Sequence, residues 1–269
     1  MIYIKRLIFI ILIVTSCQSI GQLKFEADIV NELKEVSAVE LDATSHIRWI
    51  IEDAGNSNDL FGLDKKGQIT RRISVSNAKN KDWEDLTIDT EGNIYIGDFG
   101  NNNEHRKKFK IYKINHSDLT KDVVTADIIE FTLPEAEDSR DFEAFFIYNK
   151  AFYIFSKETK KFIFVKVPNK IGSHIATLKS NYNLDGKKNK ITSADISTDG
   201  KIIVLLNHDK VWKLTNYKND DFFSGKIEKL SFEHDSQKEG VCFKTNTQII
   251  ITDERNGFEG GNIYSFKIN

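Results

Sequence analysis

A triplet that opens on Ser or Glu returns five times along this chain: Ser37-Ala38-Val39, Glu84-Asp85-Leu86, Glu143-Ala144-Phe145, Ser193-Ala194-Asp195 and Glu239-Gly240-Val241. Positions 37, 84, 143, 193 and 239 are 47, 59, 50 and 46 residues apart, the repeat length of a four-stranded propeller blade. A chain with that period folds as a ring of similar units or not at all, because one unit cannot bury its own apolar face.

Each repeat is built from short β-rich runs separated by turn dipeptides such as Glu91-Gly92, Asp185-Gly186 and Asp199-Gly200, with no sustained helical period. The second repeat places strands at 84–88, 93–97, 108–113 and 125–133. The third and fourth place second strands at 152–155 and 202–206, and third strands at 162–167 and 210–214. The last repeat has only three runs, at 239–243, 248–252 and 262–268. Ahead of the first repeat, Leu23, Phe25, Ala27 and Ile29 alternate with Lys24, Glu26 and Asp28, the two-residue period of a half-buried strand. That segment therefore completes the last repeat and closes the ring without an unpaired edge. The expected fold is an all-β five-bladed propeller over 23–269. A six-bladed ring stays open if the stretch from Pro168 to Lys190 holds further strands.

At 269 residues, with 40% hydrophobic and 29% charged side chains, the chain can fill one large β domain with an ordinary solvated surface. The formal charge of −2 becomes −4 once Lys5 and Arg6 are removed with the first segment. No basic footprint for a nucleic-acid polymer is present, and two prolines leave no proline-rich linker. Lys5-Arg6 precede an apolar run over 7–14 of signal-peptide length, followed by Val14-Thr15-Ser16-Cys17. This string resembles the lipobox of bacterial lipoproteins, which implies a signal over 1–16, lipidation of Cys17 and a short tether over 17–22. An ordinary signal peptide or uncleaved anchor is the alternative. Gln18 is not the Asp that retains lipoproteins at the inner membrane, so the expected location is the outer membrane of a cell envelope, with the bilayer as a partner. With Cys17 acylated only Cys242 is left, which excludes an intrachain disulfide; Val241-Cys242-Phe243 reads as a buried strand. A monomer is expected.

In a blade the first strand lines the central channel and pairs antiparallel with the second, so the start of one and the end of the other share a face. Both places are polar here: the second strands end at Glu52-Asp53, Asp98, Ser156-Lys157-Glu158, Asn207-His208-Asp209 and Thr252-Asp253-Glu254-Arg255. One face of the disc should be a charged funnel with Ser37, Glu84, Glu143, Ser193 and Glu239 at its floor. Converging carboxylates repel unless a proton or cation neutralises them. Oxygen donors without clustered His or Cys favour Ca²⁺ or Mg²⁺ over zinc, and a ring of five suits the larger, more tolerant Ca²⁺. The competing reading is that these side chains cap blade tops through backbone N–H groups. His208 reads as a loop residue, and Trp49, Trp83 and Trp212 as inter-blade core.

The order Ser, Glu, Glu, Ser, Glu, one per blade, resembles the calcium ring of the five-bladed apyrases, the calcium-activated nucleotidases. Position by position the likeness falls on Ser37, Glu84, Glu143, Ser193 and Glu239, with Trp83, Tyr95-Ile96-Gly97, Asp53-Ala54-Gly55 and Lys238-Glu239-Gly240 as context. It covers all the repeats, but only through short motifs, and it implies a central Ca²⁺ near a nucleotide site. Asp82-Trp83-Glu84-Asp85, Tyr95 through Asn102, Thr192 through Ser197 and Lys238-Glu239-Gly240 are more closely similar to motifs of bacterial envelope propellers, often labelled esterase-like or phytase-like without an established reaction.

A phosphohydrolase needs a base and cationic groups beside its metal. Asp53 and Asp98 are the candidate bases; Lys157, Arg106, Lys107 and Arg255 are the candidate phosphate contacts. Arg106-Lys107-Lys108 also reads as a solvated loop, and Asp98 through Asn102 as a turn. Where the apyrases carry an Arg pair, this chain has Ser156-Lys157-Glu158, and their long pocket insertions are missing. No nucleophile elbow, phosphate-binding glycine loop, paired-His motif or Cys cluster occurs. Two classes follow: a lipid-tethered binding module offering its funnel to a small-molecule, glycan or protein ligand, and a calcium-dependent phosphohydrolase. Cationic side chains converging on the funnel would favour the second.

Overall fold

The structure, a computed structural model, describes residues 23–158, 162–184, 189–257 and 259–269. Five sheets, each built on four antiparallel strands, follow one another along the chain. Blade one holds Val36–Leu41, Arg48–Glu52, Asp59–Leu63 and Ile69–Val75. Blade two holds Trp83–Ile88, Ile94–Asp98, Phe109–Ile114 and Asp127–Thr132. Blade three is Phe142–Tyr148, Ala151–Ser156, Phe162–Pro168 and Thr177–Tyr182, and blade four Ser193–Ile196, Ile202–Leu206, Lys210–Thr215 and Lys226–Ser231. Blade five combines Lys238–Thr245, Gln248–Asp253 and Asn262–Lys267 with the N-terminal strand Lys24–Asp28.

That last pairing closes the ring: Lys24 lies opposite Ser265, Phe25 opposite Tyr264 and Asp28 opposite Asn262. Glu26 ties the closing strand to its neighbours, meeting Lys244 Nζ at 2.7 Å within blade five and Arg48 of blade one. The described residues between Pro168 and Lys190 make no sixth blade. The strand Thr177–Tyr182 finishes blade three, while Gly172–Ile175 pairs in parallel with Asp127–Thr132 on the outer edge of blade two. Val123–Val124 likewise lies on the outer edge of blade one, against Ser74 and Val75. In both places the connection between the outer strands of one blade reaches back to cover the edge of the blade before it, hiding hydrogen-bonding groups that an open edge would expose.

Strand alternation sends successive side chains to opposite faces of each blade, and the apolar ones meet those of the neighbouring blade. The core is thus divided into five clusters, one at each junction. Trp49 and Trp83 fill the junction of blades one and two, and Trp212 that of blades three and four. Cys242 is a free thiol buried between blades five and one, where burial pushes its pKa well up. The lipobox, Cys17 and the tether over 17–22 lie outside the described residues.

Candidate metal centre

The innermost strands of blades one, two, three and five carry the same irregularity. Pairing with the second strand slips by one residue between Val36 and Ala38, Trp83 and Asp85, Phe142 and Ala144, and Lys238 and Gly240. The residue inside each slip is Ser37, Glu84, Glu143 or Glu239. A β-bulge re-aims the side chain it carries, and all four of these line one hollow on the top face of the disc. Glu35, Val36, Asp53, Lys157, Gln237 and Glu254 complete its wall.

Blade four is set one residue earlier than the repeat suggests. Ser37 Oγ donates to Trp83 O of the next blade at 2.9 Å, and its counterpart is Thr192 Oγ1, which donates to Lys238 O at 2.8 Å. Ser193 instead matches Asp85: each accepts from a backbone N–H of the following blade, Val241 for Ser193 at 3.1 Å and Phe145 for Asp85 at 3.0 Å. Ser193 therefore lies below the hollow. Its hydroxyl donates to Asp85 Oδ1 at 2.9 Å, and Asp85 Oδ2 also takes the N–H of Ala194. Deeper still, Asp195 accepts from Phe243 N at 2.7 Å. These buried carboxylates stitch innermost strands together through backbone donors, the capping role that the sequence leaves open beside metal binding.

The hollow itself is crowded with acid. Asp53, Asp82 and Glu84 each bring a carboxylate oxygen within 4.8 Å of the other two. Burial, then the charges of Glu143, Asp53 and Asp82, push Glu84 well above the carboxylate range. Burial and the neighbours Asp53 and Asp141 raise Asp82 to about 7, and burial raises Asp53. Glu143 is 1% exposed; its Oε2 meets Lys157 Nζ at 2.7 Å, while Oε1 is buried with no hydrogen-bond partner. Burial, reinforced by Asp141 and Glu239 against Lys157, lifts Glu143 to about 8. Glu254 rises to about 7 through burial and the charges of Glu239 and Asp53. Hard oxygen donors in excess of cations, with one buried oxygen unpartnered, fit a divalent cation such as Ca²⁺.

Two glycines make this packing possible. A Cβ on Gly100 would stand 2.0 Å from Glu84 Oε1 and 2.5 Å from Asp82 Cγ. The segment from Asp98 to Asn102 is therefore a wall that leaves space for the two carboxyls. Gly240 lies against Thr252 Oγ1 and the backbone of Ala38 and Val39, where a Cβ would come within 2.4–2.8 Å. It lets blades five and one approach.

The other candidates separate. Asp53 and Lys157 line the hollow. Asp98 does not: it is fully buried, 2.9 Å from Arg106, and accepts from Asp82 N and Tyr112 OH. Arg106 is spent on that pair and on the carbonyls of Asp98, Gly100 and Lys108. Lys107 is exposed, and Arg255 donates to the carbonyls of Ile29 and Gly261. His208, read from sequence as a loop residue, places Nε2 3.2 Å from Glu239 Oε1. Asp82, which the sequence presents only as part of the motif Asp82-Trp83-Glu84-Asp85 and not as a ligand, joins the acidic group from the loop two residues before Glu84.

Fold and site together define a five-bladed β-propeller with an acidic hollow over its channel. No protein-family model and no curated protein sequence matches the chain. Among solved structures it is similar to a gluconolactonase from Xanthomonas campestris, at 9% identity and a TM-score of 0.50, over 86% of this chain and 71% of that one. It is also similar to the PQQ-bound aldose sugar dehydrogenase from Streptomyces coelicolor, at 8% identity and a TM-score of 0.53, over 92% and 98%. At such identities the likeness is one of fold.

Proposed function

We propose that this protein is a divalent-cation-binding propeller, with Ca²⁺ the preferred ion, that offers its acidic funnel to a ligand while tethered to the cell envelope through Cys17. The observation that carries the cation is the convergence of Asp53, Asp82 and Glu84 beside the unpartnered Oε1 of Glu143. Those residues, with Glu239 across the hollow, would hold the ion; bound, it would supply a Lewis acid and a charge that relieves the carboxylates' repulsion. Ser37 contributes a hydroxyl already engaged with Trp83 O.

A binding role is favoured over phosphohydrolysis by the state of the cationic side chains. Arg106 and Arg255 are held by backbone carbonyls, and Lys157, the basic residue among those lining the hollow, is paired with Glu143. Among the described residues that line the hollow, a phosphoryl group would meet carboxylates and a lysine already paired with Glu143. A ligand rich in hydroxyl or amine donors, a glycan among them, suits such a wall. The test is a panel of neutral glycans and nucleotides titrated into the purified protein with and without Ca²⁺, alongside a phosphoester hydrolysis assay. Ca²⁺-dependent retention of a neutral ligand with no turnover supports the reading; Ca²⁺-dependent phosphate release replaces it with the hydrolase.

A further inference from the structure

Lys157 is placed where a cation would be useful. It follows the second strand of blade three, and its ammonium lies 2.7 Å from Glu143 Oε2 within the hollow. Glu143 is the most buried of the carboxylates that line the hollow, and every other charged side chain of that wall is acidic: Glu35, Asp53, Glu84, Glu239 and Glu254. The ammonium does not satisfy the site, since Glu143 Oε1 stays unpartnered and Asp53, Asp82 and Glu84 still crowd one another. A monovalent point charge on a flexible stem is a partial substitute for a divalent ion that several carboxylates can share.

We propose that Lys157 is the resident counter-ion of the hollow and that a divalent cation displaces it from Glu143 toward solvent. This rests on the cation site proposed above and adds an exchange to it. A cation held by Glu84 and Glu143 would repel an ammonium on the same carboxylate, because like charges a few ångströms apart inside a protein are weakly screened. The Lys157 side chain keeps 22% of its surface exposed, so it can swing outward by rotating its own stem. The exchange makes the lysine a competitor that weakens cation binding, and it leaves the displaced ammonium in solvent.

Two measurements test this. Calcium titrated by calorimetry into the wild type and into Lys157→Met should show about tenfold tighter binding by the variant, from removal of the competing charge. Lysine acetylation of the wild type, followed by mass spectrometry, should label Lys157 several-fold faster in saturating Ca²⁺ than in chelator. Equal or weaker binding by the variant, with Lys157 labelling unchanged by Ca²⁺, overturns the exchange while leaving the cation site in place. If Lys157→Met does not fold, the labelling of the wild type decides alone. If neither protein binds Ca²⁺, the cation reading falls and the exchange with it.

Discussion

Ser193 Oγ donates to Asp85 Oδ1 at 2.9 Å across the central channel, joining blade four to blade two, which are not neighbours in the ring. Asp85 also takes the N–H of Phe145 in blade three and of Ala194 in blade four. One fully buried carboxylate thus gathers three of the five blades. Burial pushes its pKa up while these donors pull it down. Asp85→Ala would take the side-chain acceptor from three buried backbone N–H groups, those of Leu86, Phe145 and Ala194, at about 1–3 kcal/mol for each left unsatisfied. The expected loss is about 2–5 kcal/mol in urea unfolding, with a smaller loss for Asp85→Asn, which keeps one acceptor oxygen. A change below about 0.5 kcal/mol would mean that the channel is held by apolar packing alone.

Ring closure gives a second expectation. Deleting residues through Asp28 removes the partner of Asn262–Lys267 and strips Ala27 from the blade five–blade one junction. The outer edge of blade five would then be open to intermolecular pairing. A melting temperature lower by about 10 °C or more, together with concentration-dependent association in sedimentation, is expected. A truncated chain as stable and monodisperse as the full one would contradict the closure.

The hollow makes stability depend on pH. Asp82 is raised to about 7 and Glu143 to about 8, against ordinary values of 3.8 and 4.5. The folded protein therefore holds protons that the unfolded chain has already released. The stabilisation this gives is full below about pH 4 and is lost as pH rises through about 7–8. In chelator, the melting temperature should fall between about pH 6 and pH 8.5, and saturating Ca²⁺ should recover most of the fall. A flat or rising profile in chelator would contradict the crowding of these carboxylates.

Gly100 is a sharper probe of the wall. A methyl group there would meet Glu84 Oε1 at 2.0 Å, so Gly100→Ala must push Glu84 or Asp82 aside. Calcium affinity should drop by about tenfold or more, roughly 1.4 kcal/mol, with the far-UV spectrum unchanged. Unaltered affinity would place the ion elsewhere.

Much of the fold was legible because it depends on period. Strand alternation and turn dipeptides located the blades to within a few residues, and the alternation over 23–29 identified the closing strand. The edge strands Val123–Val124 and Gly172–Ile175 were not legible, because parallel pairing to a preceding blade leaves no local pattern. The ring was legible in part. Ser37, Glu84, Glu143 and Glu239 share a hollow, but blade four is offset by one, with Thr192 in the place of Ser37 and Ser193 in that of Asp85. Since side chains alternate, a slip of one residue changes the face, and two adjacent hydroxyl residues give the sequence no means of choosing. The nearness of Glu143 and Lys157 follows from the pairing of Phe142 with Ser156 and was legible in that sense, whereas Asp82 enters through the loop ahead of its strand, which neither spacing nor composition records.

The central claim is that the carboxylates of the hollow hold a divalent cation, and calorimetric titration of Ca²⁺ into the purified protein and into Glu143→Gln tests it most directly. The wild type should bind one Ca²⁺, and at about pH 7 the heat should vary with the buffer because the ion expels protons from carboxyls with raised pKa values. Glu143→Gln should lose that binding while melting as a folded protein. Equal binding by both proteins, or none by the wild type, would contradict the site.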